Sequence, residues 1–295
     1  MAGALKKFFK LLRYRFLLIA GLLPYCLGAT ISFYTHGQLS LSLFLTGLIA
    51  LFFVLAGVEA FNEFFDWQLG TDRVFALNPE PVTKKTLFFG LLSFFIAFLI
   101  AIFLTKKAGF TIIIFAFLGF FAAFCYLGPP LKFAYRGLGE VVIAISYGPL
   151  MMAGSYYLQS RRIDSSLLLL SLIPGIFLFL IAILNEVPDY FQDRLAGKRN
   201  ICVRLGQKKV VRLYGLIMTI FYILMVVAIL AGVFLKFTWF LFLCIPLFLV
   251  SYSKGIKTYE DPYQFFSAIR YLIINYVITI FILISGFVLT SPYKS

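Results

Sequence analysis

The stretch SLSLFLTGLIALFFVLAGVEAFNEFFDWQLGTD, residues 40–72, decides the fold. Residues 40–61 are almost wholly apolar, and about 20 such residues cross a bilayer as a helix. The run then ends on Asn62, Glu63 and Asp66, with Asp72 just beyond. The same pattern returns later: the apolar run 166–187 ends in Asn185-Glu186-Val187-Pro188-Asp189, followed by Asp193. Eight of the twelve acidic residues lie between 59 and 80 or between 186 and 193. An apolar chain that gathers its few carboxylates at two such points is expected to hold cations there.

Outward from these two points the pattern is uniform. Apolar runs long enough to span a membrane fall at roughly 16–33, 40–61, 86–105, 108–127, 138–158, 166–187, 211–233, 237–253 and 267–290. They are too long for barrel strands and lack the strand alternation. The chain is 62% hydrophobic and 13% charged, against about 25% charged residues in soluble domains. The expected fold is all-α: a polytopic membrane helical bundle of nine transmembrane helices, forming a single domain over 1–295.

The net charge of +14 follows topology. With the N-terminus inside and nine alternating spans, inside segments carry 20 Lys and Arg and outside segments six. The positive-inside rule therefore gives N-in/C-out, with the multi-pass chain in the inner (plasma) membrane. The basicity is expected to reflect orientation and attraction to anionic membrane lipid, with no nucleic-acid partner. Residues 1–15 interleave Lys and Arg with Phe8, Phe9, Leu11 and Leu12, as in an amphipathic helix lying on the membrane surface. Cys26, Cys125, Cys202 and Cys244 are scattered without a CxxC, so they suggest neither a disulfide framework nor a zinc site. The single histidine, His36, falls in an outside turn, which argues against histidine ligation.

The polar inside connections 62–85, 128–137 and 188–210 are long, and long loops on a rigid scaffold carry function. Four spans separate the two acidic motifs, an even number, so both are expected at one face. On a helix, residues four apart share a face, which pairs Asn62 with Asp66 and sets Asn185, Asp189 and Asp193 on one stripe. Asp72 lies past Gly70, beyond the end of the helix. Pro188 removes an amide donor and is expected to free the Leu184 carbonyl.

Carboxylates and amides without thiol or imidazole are hard oxygen ligands suited to Mg²⁺. Two like charges about 4 Å apart repel by about 4 kcal/mol at an effective dielectric near 20, so four aspartates brought together call for cations. Mg²⁺ completes its shell with water and substrate phosphate. Asn62, Asp66, Asp72, Asp189 and Asp193 are the candidate metal ligands, with Asn185 beside them. Arg73, Lys132, Arg136, Lys198 and Arg199 lie in the adjoining loops and suit diphosphate oxygens. Glu59, one turn before Glu63 and inside its span, is either functional or a packing residue. Glu140 reads as a helix N-terminal charge.

These motifs resemble those of the UbiA-type intramembrane prenyltransferases, over nearly the whole chain. NEFFDWQLGTD (Asn62 to Asp72) is similar to that family's first aspartate-rich motif, and NEVPDYFQDRLAGKR (Asn185 to Arg199) to its second. YLGPPLKFAYRGLGE (Tyr126 to Glu140) resembles its third characteristic loop. The resemblance implies helices around a central cavity capped by inside loops, with an active site facing the cytoplasm. It also implies a reaction: a polyprenyl diphosphate held through Mg²⁺ ionises, and the allylic cation alkylates an aromatic acceptor. Asp66 and Asp189 would then be catalytic, with Lys132 or Arg136 serving the third loop beside Tyr126. The family spacing there is often YxxxK, whereas Tyr126 and Lys132 are six apart. The motif forms look most like the 1,4-dihydroxy-2-naphthoate prenyltransferases of menaquinone synthesis. Another acceptor, such as 4-hydroxybenzoate, is the nearest alternative. A cation transporter is the distant one, since it would place its acids near the bilayer midplane.

Overall fold

The computed structural model describes residues 17–70 and 81–293. The basic segment 1–15, Asp72 and Arg73 lie outside the described residues. Every regular element among the described residues is helical.

A π-helical turn, Leu17–Leu22, leads into α1, Leu23–His36, which ends at Gly37 in the left-handed conformation (φ 68°). The helix α2, Leu41–Leu69, is capped by Ser40, whose hydroxyl accepts from the Leu43 amide. It runs eight residues past the apolar run 40–61 and stops at Gly70 (φ 87°), as expected, because nothing in Asn62–Leu69 breaks a helix. Asn62 and Asp66 therefore stay on the helix. Next come α3, Lys84–Ala108, and α4, Thr111–Leu127. The fifth helix, α5, Gly139–Ser160, contains a π-helical turn, Ser146–Leu150, around Pro149. Then follow α6, Ser165–Asn185, and the short α7, Tyr190–Leu195, and α8, Ile201–Leu205. The last three are α9, Gln207–Leu230, α10, Lys236–Thr258, and α11, Pro262–Thr290.

Seven helices are long and apolar enough to cross a membrane: α2, α3, α5, α6, α9, α10 and α11. The other two expected spans correspond to α1 with its π-turn and to α4, a 17-residue apolar helix. The boundaries differ from expectation mainly on the side of the acidic motifs.

The helix α6 is the axis of the bundle. It is apolar all round, as a fully surrounded helix must be, and 67% of its apolar window is buried. It touches α1, α5, α9 and α11, and α11 packs back on α1. On the other side α2 and α3 pair closely, with α4 against both. Between this wall and α5–α6 runs a cavity. The end of the bundle away from Asn185 is tied by His36 Nε2, 2.9 Å from Asp164 Oδ2, with the Tyr156 hydroxyl also donating to Asp164.

Close packing of α1 on α5 depends on Gly28. A Cβ there would lie 2.5 Å from the Met152 carbonyl oxygen, a backbone atom that cannot swing aside. Overpacking of this kind costs about 1–3 kcal/mol. Gly28→Val should lower the unfolding temperature in detergent by several degrees, measured by intrinsic fluorescence, while Gly119→Val, which meets nothing within 4 Å, should leave it unchanged.

Candidate active site at the helix tips

The carboxyl end of α2 and the short α7 that follows α6 both line one end of the cavity, and a loop residue ties them. Lys198 Nζ lies 3.5 Å from Asp66 Oδ1 and 3.2 Å from Asp193 Oδ1. The two acidic motifs are thus at the same face, as the even span parity requires. Lys198 also stands 5.5 Å above the Tyr135 ring, a cation–π contact. Burial would lower the Lys198 pKa, but the Asp66 and Asp193 charges outweigh it and hold the ammonium well above its ordinary value.

Asp193 is 4% exposed. Burial pushes its carboxyl up, while Lys198 and the Asn200 amide work against that rise. Asn200 has two tasks. Its Nδ2 donates to Asp193 Oδ2 at 2.7 Å, and its Oδ1 accepts from the Val203 amide at 2.8 Å, capping α8. Glu186 lies beside Glu140. Burial first, then the Glu140 charge, pushes its carboxyl up to about 10. Glu140, in the first turn of α5 and 1% exposed, accepts the Ile201 amide at 2.7 Å.

The expected continuous stripe of Asn185, Asp189 and Asp193 is not what the chain forms. The helix stops at Asn185, Asp189 precedes α7, and Asp193 belongs to that separate short helix. Pro188 explains the break: it cannot donate, and it disfavours helix at Val187. The Leu184 carbonyl is not freed, because the Val187 amide donates to it at 3.1 Å. Asn185, Asp189 and Asp193 nonetheless all line the cavity.

Two loops close over this end. The Arg199 amide donates to the Tyr135 carbonyl at 3.1 Å. Arg204 donates to the Arg199 carbonyl at 2.7 Å and to the Arg136 carbonyl at 2.5 Å. Gly137 (φ 72°) allows the approach, since a Cβ there would meet the Arg199 carbonyl oxygen at 2.8 Å.

The structure brings together Asn62, Asp66, Tyr126, Asn185, Asp189, Asp193 and Lys198 as cavity lining. Lys132, Arg136 and Arg199 stand in the capping loops and do not line it. Arg136 folds back to donate to the Pro130 carbonyl at 3.1 Å. Asp72 and Arg73 lie outside the described residues. Sequence reasoning passed over Tyr135, Gln192 and Asn200. An asparagine just before a short apolar helix is an N-cap signal, so Asn200 had a trace; Tyr135 and Gln192 had none.

The cavity holds about 860 Å³, within the range of ligand pockets. Its mouth is acidic and amide-rich, and its interior is walled by Leu51, Val54, Phe94, Phe98, Ala101 and Ile112. It suits a molecule with one strongly polar end and a long apolar body. Asn62 Oδ1 is buried at the mouth without a hydrogen-bond partner, an oxygen donor that a hard cation would satisfy. Among the described residues no three acidic, thiol or imidazole groups converge on one point. A metal there would draw on amide and phosphate oxygens as well, which is the habit of Mg²⁺.

A family model described as the UbiA prenyltransferase family matches residues 21–287. The chain belongs to the UbiA prenyltransferase family. It is therefore a prenyltransferase and a multi-pass membrane protein. Among relatives of this family, a 1,4-dihydroxy-2-naphthoate octaprenyltransferase of Bacillus subtilis (strain 168) is 24% identical over 86% of this chain and 83% of its own. A 2-carboxy-1,4-naphthoquinone phytyltransferase of Synechocystis is 28% identical over 63% and 62%. Two solved structures share the UbiA fold. A digeranylgeranylglyceryl phosphate synthase superposes with TM-score 0.62 at 17% identity, over 96% of this chain and 98% of that one. A UbiA homologue from Archaeoglobus fulgidus bound to GPP and Mg²⁺ gives 0.61 at 16%, over 96% and 99%.

Asn200 separates stability from site geometry. Asn200→Ser keeps a side-chain oxygen to cap α8 but withdraws the amide donor from Asp193. Prenyl transfer should fall at least about tenfold, the effect of losing a hydrogen bond to a charged group, while the unfolding temperature falls less than in Asn200→Ala, which removes cap and donor together.

Proposed function

We propose that this protein transfers a polyprenyl group from polyprenyl diphosphate to an aromatic quinone precursor, 1,4-dihydroxy-2-naphthoate, in menaquinone biosynthesis, with Mg²⁺ as cofactor. Nine spans with the N-terminus inside put the acidic mouth on the cytoplasmic side of the inner membrane. The observation that carries the reading is the cavity itself: two acidic helix tips and Lys198 at one end, a long aromatic and aliphatic interior at the other. The names of the Bacillus and Synechocystis relatives support a naphthoate-type acceptor.

In this reading Asn62, Asp66, Asp72, Asp189 and Asp193 hold Mg²⁺ and, through it, the diphosphate. Bound there, the ion supplies positive charge to a leaving group whose negative charge grows as the C–O bond breaks. Lys198 lends a further positive charge at the same mouth. Lys132, Arg136 and Arg199 stand in the capping loops, where the diphosphate oxygens would enter, and Arg73 is a fourth cation proposed for those oxygens. The interior keeps water from the allylic cation, and ring faces lining it stabilise positive charge.

Purified protein given Mg²⁺, geranylgeranyl diphosphate and 1,4-dihydroxy-2-naphthoate should yield the prenylated naphthoquinol by mass spectrometry. A panel with 4-hydroxybenzoate in place of the naphthoate tests the neighbouring acceptor class. Asp66→Asn and Asp189→Asn should each reduce turnover about a hundred- to a thousandfold, the order lost with one preorganised charge-stabilising group, with the protein still soluble and folded. Full turnover in both variants would remove these aspartates from the mechanism.

A further inference from the structure

One acid in the cavity is not used by the diphosphate end. Glu59 lies seven residues before Asp66 on α2. Seven residues at 1.5 Å and 100° each place it about 10 Å deeper and within about 20° of the same face. It is 7% exposed, and it lines the cavity beside Asn62 and Asp66. A carboxyl at this depth is expensive in a membrane helix and marks a functional position.

A second polar group lines the same cavity from α5. Tyr147 sits in the π-helical turn of α5, is 7% exposed and lines the cavity. Its phenol lies within Coulombic reach of the Glu59 carboxyl. π-turns inside helices recur at functional sites. Here the turn lies where α5 touches α6 through Gly148: a Cβ on Gly148 would meet the Gly175 Cα at 2.7 Å. The polar lining groups Tyr25 and Ser155 are engaged with the backbone: Tyr25 donates to the Phe44 carbonyl and Ser155 to the Tyr25 carbonyl.

We propose that Glu59 and Tyr147 form the site that holds a ring hydroxyl of the aromatic acceptor. The inference rests on the prenyl-transfer reading above and adds the residues that recognise the second substrate. The roughly 10 Å rise between Glu59 and Asp66 leaves room for a hydrogen bond, an aromatic ring and the first carbons of a prenyl chain. A hydroxylated ring anchored at Glu59 thus presents its far edge to the first carbon of a prenyl chain whose diphosphate sits at Asp66. A dry site built to hydrogen-bond a hydroxyl discriminates against analogues that lack it.

The test uses purified full-length protein with Mg²⁺, geranylgeranyl diphosphate and two acceptors, 1,4-dihydroxy-2-naphthoate and its O-methyl ethers. Glu59→Leu should raise KM for the dihydroxy acceptor at least about tenfold, the cost of one buried hydrogen bond to a charged group. KM for the donor should stay within about twofold. The wild-type preference for hydroxyl over methyl ether should collapse in Glu59→Leu and weaken in Tyr147→Phe. Glu59→Gln, nearly isosteric, serves where the leucine variant does not fold. Donor binding is read separately, as the thermal shift given by a prenyl thiolodiphosphate with Mg²⁺, and should match wild type in all variants. An unchanged acceptor KM and unchanged ether discrimination in Glu59→Gln and Tyr147→Phe overturns the inference. So does a loss of donor binding in parallel with acceptor binding, which is the signature of a packing role. Wild-type protein that binds the thiolodiphosphate but prenylates neither naphthoate nor benzoate acceptors defeats the broader reading instead.

Discussion

A lysine ammonium between two carboxylates organises the functional end of this molecule. Asp66 comes from the tip of α2 and Asp193 from the short α7, and Lys198 touches both. Two like charges facing one cavity mouth would repel each other. A single shared cation turns the repulsion into a tie. Because Lys198 follows α7 directly, the tie also fixes how the chain leaves the membrane after Pro188. Asn200 and Glu140 then extend the arrangement, one by holding Asp193 and capping α8, the other by accepting the Ile201 amide.

This tie also explains the construction of the roof. The 128–137 and 198–204 loops are joined by Arg204 donating to the Arg136 carbonyl and by one backbone bond from Arg199 to Tyr135, while Arg204 also donates to the Arg199 carbonyl and Arg136 to the Pro130 carbonyl within their own loops. Carbonyls accept these guanidinium groups without adding negative charge to a site already rich in acids. Arg136 and Arg204 are spent on the architecture of the loops, while Lys198 faces the cavity.

Much of this was legible in the sequence because the two governing signals are strong. An apolar run of some 20 residues has few alternatives to a spanning helix, and a motif repeated after an even number of runs must return to one face. What could not be read has local causes. The stripe through Asn185, Asp189 and Asp193 looked regular by spacing, but Pro188 outweighs spacing and divides it into two elements. Tyr147 left no trace, because its place in the cavity depends on a π-turn and on glycine contacts between α5 and α6. The split of the cationic residues between lining and roof also lies beyond sequence, since Lys132, Arg136, Lys198 and Arg199 look alike until loop hydrogen bonds are seen.

The reliance of Asp66 on Lys198 has a consequence for how the protein is made. Synthesis runs from the amino end, so α2 and its acid are complete long before the lysine emerges. Until then the carboxylate at the tip of α2 must stay at the aqueous boundary, where water screens it. The mouth of the cavity is therefore finished late, after the central helix α6 has been threaded into place, and biogenesis proceeds from scaffold to chemistry.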